Sequence, residues 1–404
     1  MDNKYDIKNV HKYIENITEN GGFSINNITV EHRSNNKKRE YLFVNKSQCK
    51  HIPCSPSSMI SMCKGLARIV NKKTSEYDSI LVVAFAETAT AIGNFVADYL
   101  SNCTTVIQTT RENVENSTQL LTFEEVHSHA TTQNLLTYTD EKAVNINNYD
   151  YVLFVDDEIS TGNTILNFMK ALKNIKNTMH FGVASICNWQ TKSNIKKFDN
   201  KGIDRFSLLS GEIIDEHAKM FDKDDENVTV FGPAKFSGKI ENSPSRHYVW
   251  EKDTFRIERL GHPANREFNT LTQAIDSIMM GANSFRVIGT EEFMYMPIRV
   301  AKYIEDKGKK VLCHSTTRSS IDPIVTNFEP VPDFGDIENT ICIKYSLPSV
   351  YDDNRETYLY NLNYEVDKTL FITDKEPSEK LAKYLYEMMV TSGLSKDLEI
   401  IILK

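Results

Sequence analysis

No Cys-x-x-Cys pair occurs in this 404-residue chain, and its seven cysteines (49, 54, 63, 103, 187, 313 and 342) are odd in number and scattered. That excludes zinc-ribbon spacing and a disulfide framework, and fits reduced thiols. A basic surplus is missing as well. The formal net charge is −8 at pH 7, so no global field draws the molecule to nucleic acid or an anionic membrane. A polyanionic ligand would then need local Lys/Arg or a divalent metal. The opening MDNKYDIKNVHKYIEN lacks a signal-peptide apolar core, and no later stretch approaches the about 18 apolar residues a spanning helix requires. The expectation is a cytoplasmic protein. No repeat of solenoid length is visible.

What is present suits two α/β domains. The length exceeds one typical domain, and each half is large enough to bury its own core. Residues 1–22 read as a polar, partly helical lead-in. SSMISMCKGLARIVNKK has helical spacing, SILVVAF reads as a buried parallel strand, and ETATAIGNFVADYL becomes helical from Ala89. CTTVIQTT, YVLFV, FGVASIC and RFSLLSGEI add strands, and ILNFMKALKNIK a helix. This alternation argues for a parallel sheet with crossover helices over 23–230. The stretch 231–256, rich in Gly, Ser and Pro, reads as a linker. A second alternation fills 257–404: SFRVIG, EEFMYMPIRVAKYIEDKG, KKVLCH, TICIKYS, KTLFIT, SEKLAKYLYEMM and LEIIIL. Pro297 lies inside the first of these helices, so that helix starts late or kinks.

The segment FVDDEISTGNT, Phe154–Thr164, carries the most chemistry. In an open parallel sheet the carboxyl ends of strands face the ligand crevice, which puts Asp156 and Asp157 at its rim. The turn that follows wraps the N-terminus of the next helix, where free N–H groups make a phosphate site. Gly162 allows close backbone approach, and Ser160, Thr161 and Thr164 add hydroxyl donors. Two carboxylates would repel a phosphate. They suit what is attached to it: sugar hydroxyls or a magnesium ion. The physics suggests a sugar 5-phosphate, against the plainer reading of an acidic N-cap and an ordinary turn.

At these residues the sequence resembles the phosphoribosyl-pyrophosphate (PRPP) loop of type I phosphoribosyltransferases. The resemblance implies the type I phosphoribosyltransferase fold, a parallel sheet flanked by helices, followed by a second Rossmann-like α/β domain. It also implies that Asp156 and Asp157 contact the ribose hydroxyls directly or through Mg2+, and that Ile159, Ser160, Thr161, Gly162, Asn163 and Thr164 hold the 5-phosphate. RSNNKKREYLFVNKSQCKHIP, VVAFAETATAIGNFVADYL, TTRENV and FEEVHSHATT narrow the likeness. They resemble the orotate phosphoribosyltransferase-like group of tellurium-resistance-type gene clusters, which carries a C-terminal module named for a Thr-Arg-Ser-Pro motif. HSTTRSSI matches that motif up to Ser320, where its proline should stand; LGHPANREFNTL and GTEEFMYMPIRVA fit too.

By the same resemblance, Glu87, Thr88 and Ala89 lie in the short loop near pyrophosphate, although Thr88 or Thr90 could equally cap a helix. Glu87 is odd beside an anion and suits a metal-bound water or the acceptor. Arg111 resembles the cation that neutralises departing pyrophosphate; Arg39, Lys50 and His51 could add charge. His127 and His129 either chelate a metal with Glu124 or Glu125, or ride a mobile loop over PRPP and serve pyrophosphate. Glu158 is a candidate acid/base near the acceptor. In the second domain Thr316, Thr317, Arg318 and Ser319 form a candidate anion site, with Asp374 facing the same crevice, or a turn with structural hydrogen bonds only. The implied activity is PRPP-dependent phosphoribosyl transfer to a small nitrogenous acceptor. A non-catalytic PRPP sensor and a partner-docking protein remain as alternatives, and a homodimer or a pathway enzyme as partners.

Overall fold

The computed structural model describes residues 10, 13–33, 41–124, 132–173, 178–214, 242–250, 259–264, 269–322, 344–362 and 364–404. In chain order its first half runs β1 (Ile14–Glu19), β2 (Ile28–His32), β3 (Tyr41–Asn45), α1 (Pro56–Thr74), β4 (Ile80–Ala84), α2 (Thr90–Asp98) and β5 (Cys103–Gln108). Then come β6 (Ser117–Glu124), β7 (Thr132–Tyr138), β8 (Tyr151–Ile159), α3 (Asn163–Lys173), β9 (His180–Asn188), α4 (Lys192–Asp199) and β10 (Ile203–Ile213). The second half holds β11 (Ser245–Val249), α5 (Asn269–Ile278), β12 (Ser284–Thr290), α6 (Tyr295–Asp306) and β13 (Lys310–Thr316). It closes with β14 (Lys344–Pro348), β15 (Glu356–Tyr360), β16 (Val366–Thr373), α7 (Glu379–Tyr386) and β17 (Ser395–Leu403).

Two open sheets organise these elements. The first has the order β1-β10-β9-β8-β4-β5 and is parallel except where β1 meets β10. The second, β11-β17-β16-β12-β13, is parallel throughout. β4 is buried along its length, as a strand covered on both faces must be, which is why it reads as an unbroken apolar run. In each sheet one strand separates chain order running left from chain order running right: β4, between β5 and β8, and β12, between β13 and β16. Ligand crevices of open α/β sheets form at such points, beyond the strands' carboxyl ends. Three antiparallel pairs, β2–β3, β6–β7 and β14–β15, stand outside the sheets.

Two expectations change, and one, the late start of the helix around Pro297, is met. Ile14–Glu19 is an edge strand of the first sheet, not a helical lead-in; pairing with β10 supplies backbone partners that its polar sequence does not advertise. Ser245–Val249 falls inside the expected linker, yet it pairs with β17. The helix around Pro297 starts at Tyr295, so the proline occupies the first turn, where its missing N–H costs nothing.

The sheets are not separate bodies. One cluster of buried apolar side chains includes Leu66, Phe95 and Val155 from the first half and Val287, Ile298 and Ile401 from the second. Phe95 meets Tyr295 edge-on at 4.8 Å, and the Tyr295 hydroxyl donates to Asp98 at 2.8 Å. Backbone bridges join Cys54 to Cys313 and Val106 to His262. Among the described residues no helix is long and apolar enough to cross a membrane.

A continuous core should unfold as one. We expect a single calorimetric transition for the chain, and a loss of about 3–5 kcal/mol for Phe95→Ala. Two separated transitions, only one of them moved by the substitution, would show independent units.

Candidate functional site

β8 is pinned on both sides, Val155 opposite Ala84 of β4 and Asp156 opposite Ser185 of β9. Its three acids are half-buried, and Asp156 turns one oxygen back to accept from Asp157 N at 2.9 Å. The strand continues to Ile159, whose side chain is buried in the core rather than offered to a ligand. The turn then closes over Ser160–Gly162 and α3 begins at Asn163, whose N–H donates to Thr161 Oγ1 at 3.4 Å, so the first turn of the helix lies at the strand end. Gly162 has φ +70°, and a Cβ there would lie 2.4 Å from Phe198 Cζ. Only glycine makes this turn.

These elements wall a cavity of about 310 Å³. Asp156, Asp157, Glu158, Ser160 and Thr164 form one side; Ala86, Glu87 and Thr88, from the loop after β4, form another. Gln48, Lys50 and His51 line it from the segment after β3, with Arg111 and the second half's Ser319. The β2–β3 hairpin covers it through Arg33, Leu42, Phe43, Val44 and Asn45. The loop after β4 is held by Ala86 N donating to Thr109 Oγ1 at 2.8 Å and Gln48 Nε2 donating to Thr88 O at 3.0 Å.

Beside the cavity lies a buried ionic network that joins the two sheets. Lys50 Nζ donates to Glu87 Oε1 at 2.9 Å, to Glu291 O at 2.6 Å and to Thr316 O at 3.3 Å. Arg318 reaches Glu87 through Nε at 2.8 Å and through its backbone N–H, and Glu292 through Nη2 at 3.1 Å. Arg355 contacts Glu112 at 2.7 Å and Glu291 at 3.2 Å. Glu292 also accepts from Thr110 Oγ1 at 2.6 Å and Arg111 N at 3.1 Å, with Arg259 close by. Arg259 in turn pairs with Asp374, which accepts from the Tyr351 hydroxyl at 2.6 Å.

Burial alone would raise the pKa of Glu87, but Lys50 and Arg318 outweigh it and hold the carboxyl below its ordinary value. Glu292 is lowered for the same reason, burial being overcome by Arg259 and Arg318. Glu291 goes the other way. Burial, then the nearby Glu87 charge, push it up to about 7 against Arg355 and Arg318. His51 is lowered to about 4 by burial, its Nε2 bonded to Ser319 O at 2.9 Å, so it is neutral near pH 7 and brings no positive charge to the site, contrary to expectation.

The structure therefore brings Asp156, Asp157, Glu158, Ser160, Thr164, Glu87, Thr88, Lys50, His51 and Arg111 to one cavity. Thr161, Gly162 and Asn163 shape the turn, and Ala89 is fully buried at the start of α2. Arg39, His127 and His129 lie outside the described residues. Of the second-half motif, Ser319 reaches the cavity wall. Thr316 accepts from Glu291 N, Thr317 bonds the backbone of Tyr358, and Arg318 is committed to carboxylates. Asp374 faces Arg259 and Tyr351. Sequence reading missed Arg33, Gln48, Glu112, Glu291, Glu292, Arg259 and Arg355. Glu291–Glu292 had a usable signal, being two acids directly after a buried strand, as at Asp156–Asp157.

Among the described residues no group of three or more His, Cys, Asp or Glu could hold a metal by itself. Two adjacent carboxylates suit a magnesium ion whose other ligands are substrate oxygens and waters.

A parallel sheet divided at β4, with an acidic strand end, a hydroxyl-bearing turn and a helix N-terminus around one cavity, is the fold of the type I phosphoribosyltransferases. Residues 28–212 match the family model described as phosphoribosyl transferase, and residues 257–389 match the TRSP domain described as C-terminal to it. Among solved structures, the chain is similar to the APRTase of Giardia lamblia complexed with 9-deazaadenine. Identity is 14%, covering 48% of this chain and 98% of that one, at a TM-score of 0.35. The adenine phosphoribosyl transferase of Trypanosoma brucei, in complex with AMP, pyrophosphate and ribose-5-phosphate, is 13% identical. That match covers 46% of this chain and 76% of the other, at a TM-score of 0.33. The orotate phosphoribosyltransferase of Mycobacterium tuberculosis H37Rv, in complex with PRPP, is 14% identical, covering 37% and 72%, at a TM-score of 0.25. No curated protein matches the chain.

Gly162→Ala should destabilise the protein by about 1–3 kcal/mol, since it forces an L side chain into the left-handed region and against Phe198; chemical denaturation measures this. Glu291 makes a pH prediction. Its folded pKa, about 7, exceeds its ordinary 4.5, so its contribution is full below about 4.5 and is lost as pH rises through 7. Glu87 and Glu292, whose values are lowered, contribute above their ordinary value and lose that as pH falls. Buried His51 and His314, whose values are lowered, gain stability over the same range and oppose the Glu291 loss. Glu291 is therefore read by difference: the melting temperature of Glu291→Gln relative to wild type should rise from pH 5 toward pH 7.

Proposed function

We propose that this chain is a PRPP-dependent phosphoribosyltransferase, passing 5-phosphoribosyl to a nitrogenous, base-like acceptor and releasing pyrophosphate. One observation carries the reading: Asp156 and Asp157 share a single cavity with the Ser160–Thr164 turn at a helix N-terminus and with the loop after β4. The match of residues 28–212 to the phosphoribosyl transferase family model supports it.

In this reading the N–H groups at the start of α3, with Ser160 and Thr164, hold the 5-phosphate. Asp156 and Asp157 accept from the ribose hydroxyls, and their negative field favours the cationic sugar ring that forms as the C1–O bond to pyrophosphate breaks. Arg111, on the same cavity wall, faces the departing anion. Magnesium, held by Asp156 and Asp157 together with substrate oxygens, would supply charge neutralisation. Glu158, on the cavity wall, would take the acceptor's proton. The β2–β3 hairpin lies over the acceptor with Phe43 and Arg33, and its cover excludes water that would otherwise hydrolyse the donor. Arg39, His127 and His129 keep their proposed contacts with PRPP and pyrophosphate on motif likeness alone, as does the narrower placement in the orotate-like group of tellurium-resistance-type clusters.

Incubation of the protein with PRPP, Mg2+ and a panel of nitrogenous bases should release pyrophosphate. A charged hydrogen bond contributes about 1.5–3 kcal/mol, so Asp157→Asn should lower turnover at least about tenfold without changing the fold. Turnover equal to wild type in that variant would falsify the assignment.

A further inference from the structure

We infer that the second α/β unit governs the pyrophosphate end of the proposed site, with Arg318 acting as a positioning residue through Glu87. This rests on reading the cavity as a PRPP site, and it concerns a group that reading leaves unexplained. Glu87 places a carboxylate in the very loop that should receive an anion, and an uncompensated acid there opposes pyrophosphate.

The structure shows how that charge is answered. Among the described residues, the hydrogen bonds to the Glu87 carboxylate come from Lys50 and Arg318: Lys50 Nζ at 2.9 Å, Arg318 Nε at 2.8 Å, and Arg318 N at 3.3 Å from both oxygens. Lys50 belongs to the first half, yet it too depends on the second. An ammonium has three protons, and two of those on Lys50 are taken by the carbonyls of Glu291 and Thr316. Lys50 therefore lines the cavity without a proton left for a ligand, and its charge serves Glu87. Arg318 is itself oriented by Glu292 at 3.1 Å and Glu291 at 3.4 Å, which follow β12. The dividing strand of one sheet thus ends against the dividing strand of the other. The second unit cancels the acid that the first carries into its own anion loop.

This arrangement gives opposite signs for its two members, which a purely structural contact does not. Calorimetric titration of the full chain with inorganic pyrophosphate, and separately with ribose 5-phosphate, reads them. Arg318→Met should weaken pyrophosphate at least about tenfold, the scale of one charge-assisted contact, and leave ribose 5-phosphate within about twofold. Glu87→Gln should bind pyrophosphate at least as tightly as wild type, because the acid that opposes the anion is then gone from the loop while Arg318 keeps its Glu291 and Glu292 partners. The double variant should return close to wild type, and Arg318→Lys should recover part of the loss. Should Arg318→Met fail to fold, Glu87→Gln and the double variant decide, and weaker pyrophosphate binding in either overturns the inference. Equal weakening of both ligands by Arg318→Met, or no weakening, overturns it as well. A wild-type protein that takes ribose 5-phosphate but not pyrophosphate sinks this inference and spares the sugar-phosphate site. A protein that takes neither removes the PRPP reading and the inference together.

Discussion

The contact on which the molecule turns is the carboxylate of Glu87, held between Lys50 and Arg318 with almost no solvent. Taking three ions out of water costs several kcal/mol each, and their attraction offsets that only where geometry is close and leftover donors are satisfied. Here they are, by carbonyls of Glu291 and Thr316 and by the carboxylates of Glu291 and Glu292. Such a set tolerates little displacement. It fixes the end of β4 against the ends of β12 and β13, and the apolar packing of α1 and α2 on α6 follows the same alignment. Among the described residues, five carboxylates (Glu87, Glu112, Glu291, Glu292, Asp374) meet four cations (Lys50, Arg259, Arg318, Arg355) in this network. Within it Glu291 is pushed up first by its burial and second by the nearby Glu87 charge.

On the cavity side the same sheet end separates charge by function. Asp156 and Asp157 line the cavity beside the hydroxyl-bearing turn that opens α3, and in the proposed reading the acids hold the sugar hydroxyls and the turn holds the phosphate. In that reading, keeping acids and phosphate apart by one turn of chain would let one short segment grip both ends of a sugar phosphate. The rigidity for this comes from β8 being paired on both edges, and the closeness from a glycine that no other residue replaces.

Much of this was legible from local pattern. Buried parallel strands announce themselves as unbroken β-branched runs, and helices by their apolar period, so β4, β8, α1 and the second alternation stood out. The Asp156–Thr164 segment was readable because its chemistry is contained within one strand, one turn and one helix start. The edge strands β1 and β11 were not. An edge strand is defined by its neighbour's backbone, and polar residues such as those of Ile14–Glu19 and Ser245–Val249 carry no period that distinguishes them from loop.

Order along the chain determined the two α/β units, the acidic strand end, the hydroxyl turn and the glycine within it, since each depends on residues within a few positions of one another. Tertiary structure alone decided that the Arg of the second unit's motif would answer Glu87, and that Lys50 would be spent on carbonyls more than two hundred residues away. It also decided that His51 would be buried neutral. Coulomb energy and desolvation depend on distance in space and on access of water, and neither quantity is written in the order of residues.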